Sequence, residues 1–131
     1  MKLVLDTHIW IWSLIDPSQL RAGVTSSLVD PANELWLSSV SVWELLTLVR
    51  KKRIIVTGDV RVWLDEAFAR APLREAPVTH AVAIESERLS LAHWDPADRF
   101  IAATARLLNA TLVTADQRLI EANVVKVLAN R

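Results

Sequence analysis

The stretch Lys2-Leu3-Val4-Leu5-Asp6-Thr7-His8 decides how this chain folds. Its apolar run is too short for a helix and shows no polar alternation, which marks a strand buried on both faces. The run stops at a carboxylate, Asp6, and an apolar helical pattern begins at once. Thr7 is the expected N-cap, and Trp10, Ile11, Leu14 and Ile15 form the inward side of a helix reaching about Ile15. A strand that delivers an acid to its C-terminal end places it where open α/β sheets carry ligands. One such acid says little, whereas several converging on the same edge define a site.

The rest of the chain repeats the pattern. Asp16-Pro17 restarts the chain, and Leu20, Val24 and Leu28 recur as one helical face before Pro31-Ala32-Asn33 breaks it. Leu35-Trp36-Leu37-Ser38 reads as a second strand. Val42, Leu45, Leu46 and Val49 then make a helix from Ser41 to about Lys52. A loop over 53–58 follows, with Ile54-Ile55-Val56 a candidate extended segment. Asp59 caps a helix striped by Val60, Trp63, Leu64, Ala67 and Phe68, and an edge strand is expected between Pro72 and Pro77. A helix from about Thr79 to Leu89 precedes another opened by Asp95-Pro96 and apolar on most sides, as a helix in the middle of a fold must be. Thr111–Thr114 is a strand, Asp116 starts a short helix, and Val124–Leu128 is a last strand. Short apolar strands alternating with helices predict an α/β fold: a central parallel sheet of about 4–5 short strands, covered by helices on both faces in three layers.

Composition narrows the function. With 131 residues, 52% of them hydrophobic, there is apolar material for one full core and no length for another, so residues 1–131 read as a single domain. Lys+Arg and Asp+Glu stand at 15 each, and no overall field advertises nucleic acid or a membrane. The absence of cysteine excludes disulfides and thiolate metal sites. Asp6, His8 and Asp16 interrupt the N-terminal apolar run, which argues against a signal peptide, and no segment approaches the roughly 18 apolar residues of a membrane span. The expectation is a soluble, cytoplasmic protein. Only Gly23 and Gly58 are glycines, which removes the glycine-rich phosphate loops of P-loop ATPases and nicotinamide enzymes.

The acids carry the chemistry. Singly, each has an ordinary role at a helix start. Asp6 and Asp116 serve as caps, Glu44 stands three after Ser41 as in a capping box, and Asp98 stands three after Asp95 near the positive end of a helix dipole. Capping does not require acids to converge, but a parallel sheet makes these converge on its C-terminal edge. One pair of carboxylates at 4 Å repels by about 4 kcal/mol at an effective dielectric of 20, against a total stability of roughly 5–15 kcal/mol. A hard divalent cation with oxygen ligands, Mg²⁺ or Mn²⁺, relieves this. Three histidines without cysteine or an HExxH motif make zinc the poorer fit. A cation so held activates water and neutralises a phosphodiester, with Thr7 and Thr114 placed to orient carboxylates around it. Arg99 and Arg118, close to Asp98 and Asp116 in sequence, are candidates to meet phosphates. The Arg50-Lys51-Lys52-Arg53 cluster, at a helix end where cations suit the dipole, is a lesser one.

These residues resemble a known family. Leu5-Asp6-Thr7-His8, Ser41-Val42-Trp43-Glu44, His93-Trp94-Asp95-Pro96-Ala97-Asp98-Arg99 with Ile101-Ala102-Ala103-Thr104-Ala105, and Leu112-Val113-Thr114-Ala115-Asp116 are similar, in order and interval, to the PIN domain. The resemblance is nearest to the small VapC-type toxins of toxin–antitoxin pairs. It implies a PIN-like three-layer fold, Mg²⁺-dependent endoribonuclease activity, and a homodimer inhibited by a cognate VapB-like antitoxin. It also implies that Asp6, Glu44, Asp98 and Asp116 are the acidic quartet, with Asp6 and Asp98 the first choice as direct ligands. Asp95 matches the motif too, but its position suits the cap of the helix carrying Asp98.

Two other readings compete. A DxDxT-type phosphatase needs a second acid two residues after the nucleophile, where this chain has His8. A non-catalytic interaction module would have no need of an intact quartet. Nothing in the sequence encodes base readout. Trp10, Trp36, Trp43 and Trp63 fall in apolar stripes or strands and read as core, leaving Trp12 and Trp94 as candidates for exposure near the site or at a partner interface.

Overall fold

The structure is a computed structural model that describes residues 1–91 and 95–131. Its elements are β1 (Lys2–Leu5), α1 (Thr7–Ile15), a 3₁₀ turn (Pro17–Gln19), α2 (Ala22–Val29), β2 (Glu34–Ser38), α3 (Ser39–Arg50), α4 (Val60–Arg70), β3 (Arg74–Ala76), α5 (His80–Arg88), α6 (Pro96–Leu107), β4 (Thr111–Thr114), α7 (Gln117–Ala122) and β5 (Val127–Ala129). The strands form one sheet in the order β3-β2-β1-β4-β5. Every pairing is parallel, with Leu3 opposite both Leu35 and Thr111.

Alternation along β1 explains the unbroken apolar run. Leu3 and Leu5 join a cluster with Ile9, Trp10, Ile11, Val24, Leu37, Leu45, Leu64 and Val113, drawn from α1 to α4 and the sheet. Val4 faces the opposite way, into a cluster with Val82, Ile101, Ala102, Ala105, Leu112 and Leu119, drawn from α5 to α7 and the sheet. A strand covered on both faces has no position for a polar side chain until it leaves the sheet, and this strand leaves it at Asp6. The chain runs outward from β1 through β2 to β3, then crosses back to β4 on the other side of β1. The β1/β4 boundary is thus the topological switch point, where the C-terminal ends of the strands open a crevice.

Several boundaries differ from the sequence reading. Asp6, with an extended backbone, is the N-cap of α1, and Thr7 is its first helical residue. The α3 helix begins at Ser39 with Ser38 as its N-cap, whose hydroxyl accepts from the Val40 amide. The expected Ser41/Glu44 capping box therefore does not exist, because Glu44 lies a full turn or more into the helix. Residues 54–56 form no strand, and the final strand begins at Val127 instead of Val124. The edge strand between Pro72 and Pro77 is present as β3. No helix among the described residues is long and apolar enough to cross a membrane. Trp10 is buried, whereas Trp43, expected in the core, is 60% exposed on the outer side of α3. Trp94 lies outside the described residues.

Arg99 also corrects an expectation. It is buried, at 5% exposure, and its Nη2 donates to the carbonyl oxygens of Ser86 at 2.8 Å and Leu89 at 3.1 Å. Ser86 lies in the last turn of α5, whose carbonyls have no further helix amide, and Leu89 is the cap that follows it, its carbonyl also accepting from the Leu91 amide at 3.0 Å. The guanidinium thus ties the end of α5 to the first turn of α6, turned away from any phosphate. Replacing it by methionine takes the charged donor from the buried Ser86 carbonyl, a loss of roughly 1–3 kcal/mol. We expect Arg99→Met to lower the urea midpoint accordingly with an unchanged m-value. A midpoint equal to that of the wild type would show the clamp to be dispensable.

Candidate active site at the sheet switch point

The crevice beyond β1 and β4 is a cleft of about 440 Å³ lined by Asp6, Thr7, His8, Trp12, Glu44, Asp95, Asp98, Ala115, Asp116 and Arg118. All the acids singled out in the sequence meet here. They arrive on separate elements: the end of β1, the second turn of α3, the start of α6 and the segment after β4.

Asp6 is only 8% exposed. Its amide extends the β1/β4 pairing by donating to Val113 O at 2.9 Å. Its Oδ1 accepts from the Thr7 amide at 2.8 Å and its Oδ2 from the Thr114 hydroxyl at 2.6 Å. That hydroxyl in turn accepts from the Asp116 amide at 3.0 Å, so one oxygen atom spaces the two strand-end acids. Asp116 caps α7 by accepting from the Arg118 amide at 2.9 Å. Its capping role is therefore genuine, and its position in the cleft is additional.

Glu44, freed from the capping box, accepts a short hydrogen bond from the Thr7 hydroxyl, which is also bonded to the Ser41 hydroxyl at 2.9 Å. Asp95 caps α6, accepting from the Ala97 amide at 3.0 Å, and so sets the turn that presents Asp98. Thr7 and Thr114 each hold a carboxylate oxygen, the orienting role that metal-site hydroxyls often play. Ser41, whose sequence position suggests only a cap, belongs with them through its bond to Thr7. The signal for it is its spacing of three from Glu44, which a capping box shares.

Electrostatics record the crowding. Burial, and then the neighbouring charges of Asp6, Asp95, Asp116 and Glu44, push the Asp98 carboxyl up to about 7. Burial also raises Asp6, opposed by the hydrogen bonds from Thr114 and Thr7, and raises Glu44, opposed by the hydrogen bond from Thr7. Arg118 bridges part of this charge, with Nη2 3.2 Å from Asp116 Oδ2 and 3.8 Å from Asp98 Oδ2. As the side chains stand, no three acids or histidines among the described residues form a ready cation cage. Asp6 and Glu44 are turned to threonine hydroxyls, and Asp98 and Asp116 toward the guanidinium. The donor set is nonetheless all hard oxygen, and its carboxyls resist ionising together, which is the environment a divalent cation stabilises. On these grounds the residues fit Mg²⁺ or Mn²⁺.

At the rim, His8 and Trp12 follow one another on the same face of α1, with ring centroids 5.8 Å apart. Trp12 thus stands near the site, as its sequence position allowed. The Arg50–Arg53 cluster is not among the lining residues.

The raised Asp98 carboxyl has a thermodynamic consequence. Between its ordinary value of 3.8 and about 7, the folded protein holds a proton that the unfolded chain has released. The native state binds more protons across that window, so stability falls as pH rises through it and levels above it. We expect the melting temperature in EDTA to drop from pH 4 to pH 7, and Asp98→Asn to flatten the drop. Melting curves of the two proteins with equal slopes over that range would contradict the crowding.

Comparison with known proteins shows what the chain is similar to. The sequence matches the family model of the PIN domain over residues 3–125. It is 34% identical over 118 residues to Ribonuclease VapC22 of Mycobacterium tuberculosis, covering 89% of this chain and 88% of that protein. The fold superposes on a chain of VapBC2 from Rickettsia felis bound to a DNA fragment from their promoter, with a TM-score of 0.74 at 18% identity, covering 98% of each chain. It also matches a chain of FitAcB from Neisseria gonorrhoeae, with a TM-score of 0.68 at 26% identity, covering 98% of this chain and 97% of that one. With its sequence matched over nearly its whole length, its parallel sheet in the order 3-2-1-4-5 and its acids gathered at the switch point, this chain belongs to the PIN domain family.

Proposed function

We infer that this chain is a divalent-metal-dependent endoribonuclease, the toxin of a VapBC-type pair. The observation that carries this is the convergence of Asp6, Glu44, Asp98 and Asp116, from separate elements, on one water-accessible cleft. Capping alone accounts for two of these side chains, Asp6 and Asp116, and for neither Glu44 nor the raised carboxyl of Asp98. The likeness to Ribonuclease VapC22 supplies the substrate class, RNA.

Asp6 and Asp98 would hold the cation, Mg²⁺ or in its place Mn²⁺, with Glu44 and Asp116 completing the set. When bound, such a cation neutralises charge on the phosphodiester and lowers the pKa of a coordinated water. The chain's own residues prepare for this. Thr114 donates to Asp6 Oδ2 and Thr7 to Glu44 Oε1, which fixes both carboxylates while leaving each oxygen a lone pair for a cation. Asp95 and the Arg99 clamp hold the first turn of α6, and with it Asp98, against the cleft wall. His8 and Trp12 offer ring faces at the rim, where an unpaired base can stack. A homodimer held in check by a VapB-like antitoxin, acting in the cytoplasm, is the assembly that the likeness to toxin–antitoxin complexes supports.

Asp6→Asn and Asp98→Asn should each abolish Mg²⁺-stimulated RNA cleavage while the circular dichroism spectrum stays native. Thr114→Val should lose roughly 10–100-fold, the usual effect of removing a group that orients a metal ligand. Cleavage at the wild-type rate by both purified asparagine variants would end the nuclease reading. Saturating Mg²⁺ at pH 8 should also raise the melting temperature of the wild type well beyond that of Asp98→Asn, since the cation relieves a repulsion the variant lacks. Equal shifts in the two would deny a shared cation site.

A further inference from the structure

Arg118 is the only lysine or arginine among the described residues that line the acid cleft. Its Nη2 lies 3.2 Å from Asp116 Oδ2 and 3.8 Å from Asp98 Oδ2, and its Nε lies 3.4 Å from Asp116 Oδ1. Both acids belong to the set assigned above to a divalent cation, and any role for Arg118 at this site rests on that assignment. A divalent cation brought onto those carboxylates repels the guanidinium, so each weakens the other's hold there.

The side chain is built to leave. It is 59% exposed, and exposed ion pairs of this kind are weak. Its backbone is anchored, with the Arg118 amide donating to the capping Asp116 carboxylate, so departure needs only rotamer changes. Of the other basic side chains described, His8 lines the cleft on the side of Asp6 and Glu44, and Arg99 is held by the carbonyls of Ser86 and Leu89. A guanidinium released at the rim stands one side-chain length from any phosphate that enters the cleft, and its planar fork suits phosphate oxygens.

We propose that Arg118 is an internal counter-cation that holds Asp98 and Asp116 in the metal-free protein, competes with the divalent ion for them, and turns to the RNA backbone once displaced. It is a positioning residue, and it couples two events at one site. Metal loading frees the arginine for phosphate, and by linkage RNA that engages the arginine favours metal loading. The metal-free protein meanwhile keeps its acids partly neutralised.

The test is calorimetric titration of Mg²⁺ into the wild type, Arg118→Gln and Arg118→Lys. It is paired with binding of a cleavage-resistant 2′-O-methyl single-stranded oligonucleotide, with and without Mg²⁺. Arg118→Gln should bind Mg²⁺ about three- to fivefold more tightly than the wild type, in keeping with the modest strength of the exposed pair. Arg118→Lys should restore most of the wild-type affinity. Mg²⁺ should tighten oligonucleotide binding by a larger factor in the wild type than in Arg118→Gln. Equal or weaker Mg²⁺ binding by Arg118→Gln overturns the competition while leaving the metal-dependent function standing. Tighter Mg²⁺ binding without any loss of coupling overturns the turn toward RNA. A wild type that takes up no Mg²⁺ removes the functional reading itself.

Discussion

Mutual repulsion among carboxylates at the mouth between β1 and β4 is the constraint around which the rest of this structure is arranged. The sheet order forces the ends of β1 and β4 together, so Asp6 and Asp116 cannot avoid one another. The helices that start beside those strands then bring Glu44 and Asp98 into the same space. Much of the polar bonding in this region answers that crowding. Thr114 spaces two acids with one hydroxyl, Thr7 and Ser41 restrain a third, and Arg118 lies across two. A fold selected for stability alone would replace these acids with neutral caps, since serine or asparagine serves a helix start equally well. Their retention together points to a use that outweighs the repulsion.

Much of this was legible in the sequence, because the relevant signals are local. Unbroken apolar runs of strand length announce a parallel sheet, and once strands are parallel their C-terminal ends share an edge. Asp6 and Asp116 follow from that reasoning with no knowledge of strand order. Strand order itself was not legible, since nothing local says that Leu3 pairs with Thr111 on one side and Leu35 on the other. The switch point, which explains why the cleft opens where it does, is a property of that long-range pairing.

The departures have physical causes. Ser41 and Glu44 carry the spacing of a capping box, and the pattern was real, but Ser38 supplies a cap three residues earlier and wins the helix start. Glu44 then turns from a local partner to a distant one, Thr7. Arg99 sits beside Asp98 in sequence, yet successive side chains on a helix diverge by about 100°, so adjacency along the chain sends them to opposite destinations. Trp43 lies in an apolar stretch whose helical face points outward, and hydrophobicity alone cannot report which side of a helix is covered.

The pairing of residue 3 with residue 111 has a consequence for the life of the chain before it is finished. The strand that completes the far side of β1, and with it Thr114 and Asp116, is made roughly a hundred residues after β1. A chain that has not yet made β4 carries Asp6 and Glu44 but has no Thr114 or Asp116 to set against them across the crevice. Closure of this long loop is entropically slow compared with helix formation. The acid cleft is therefore complete only once β4 has joined the sheet, well after β1 and Asp6 have been made.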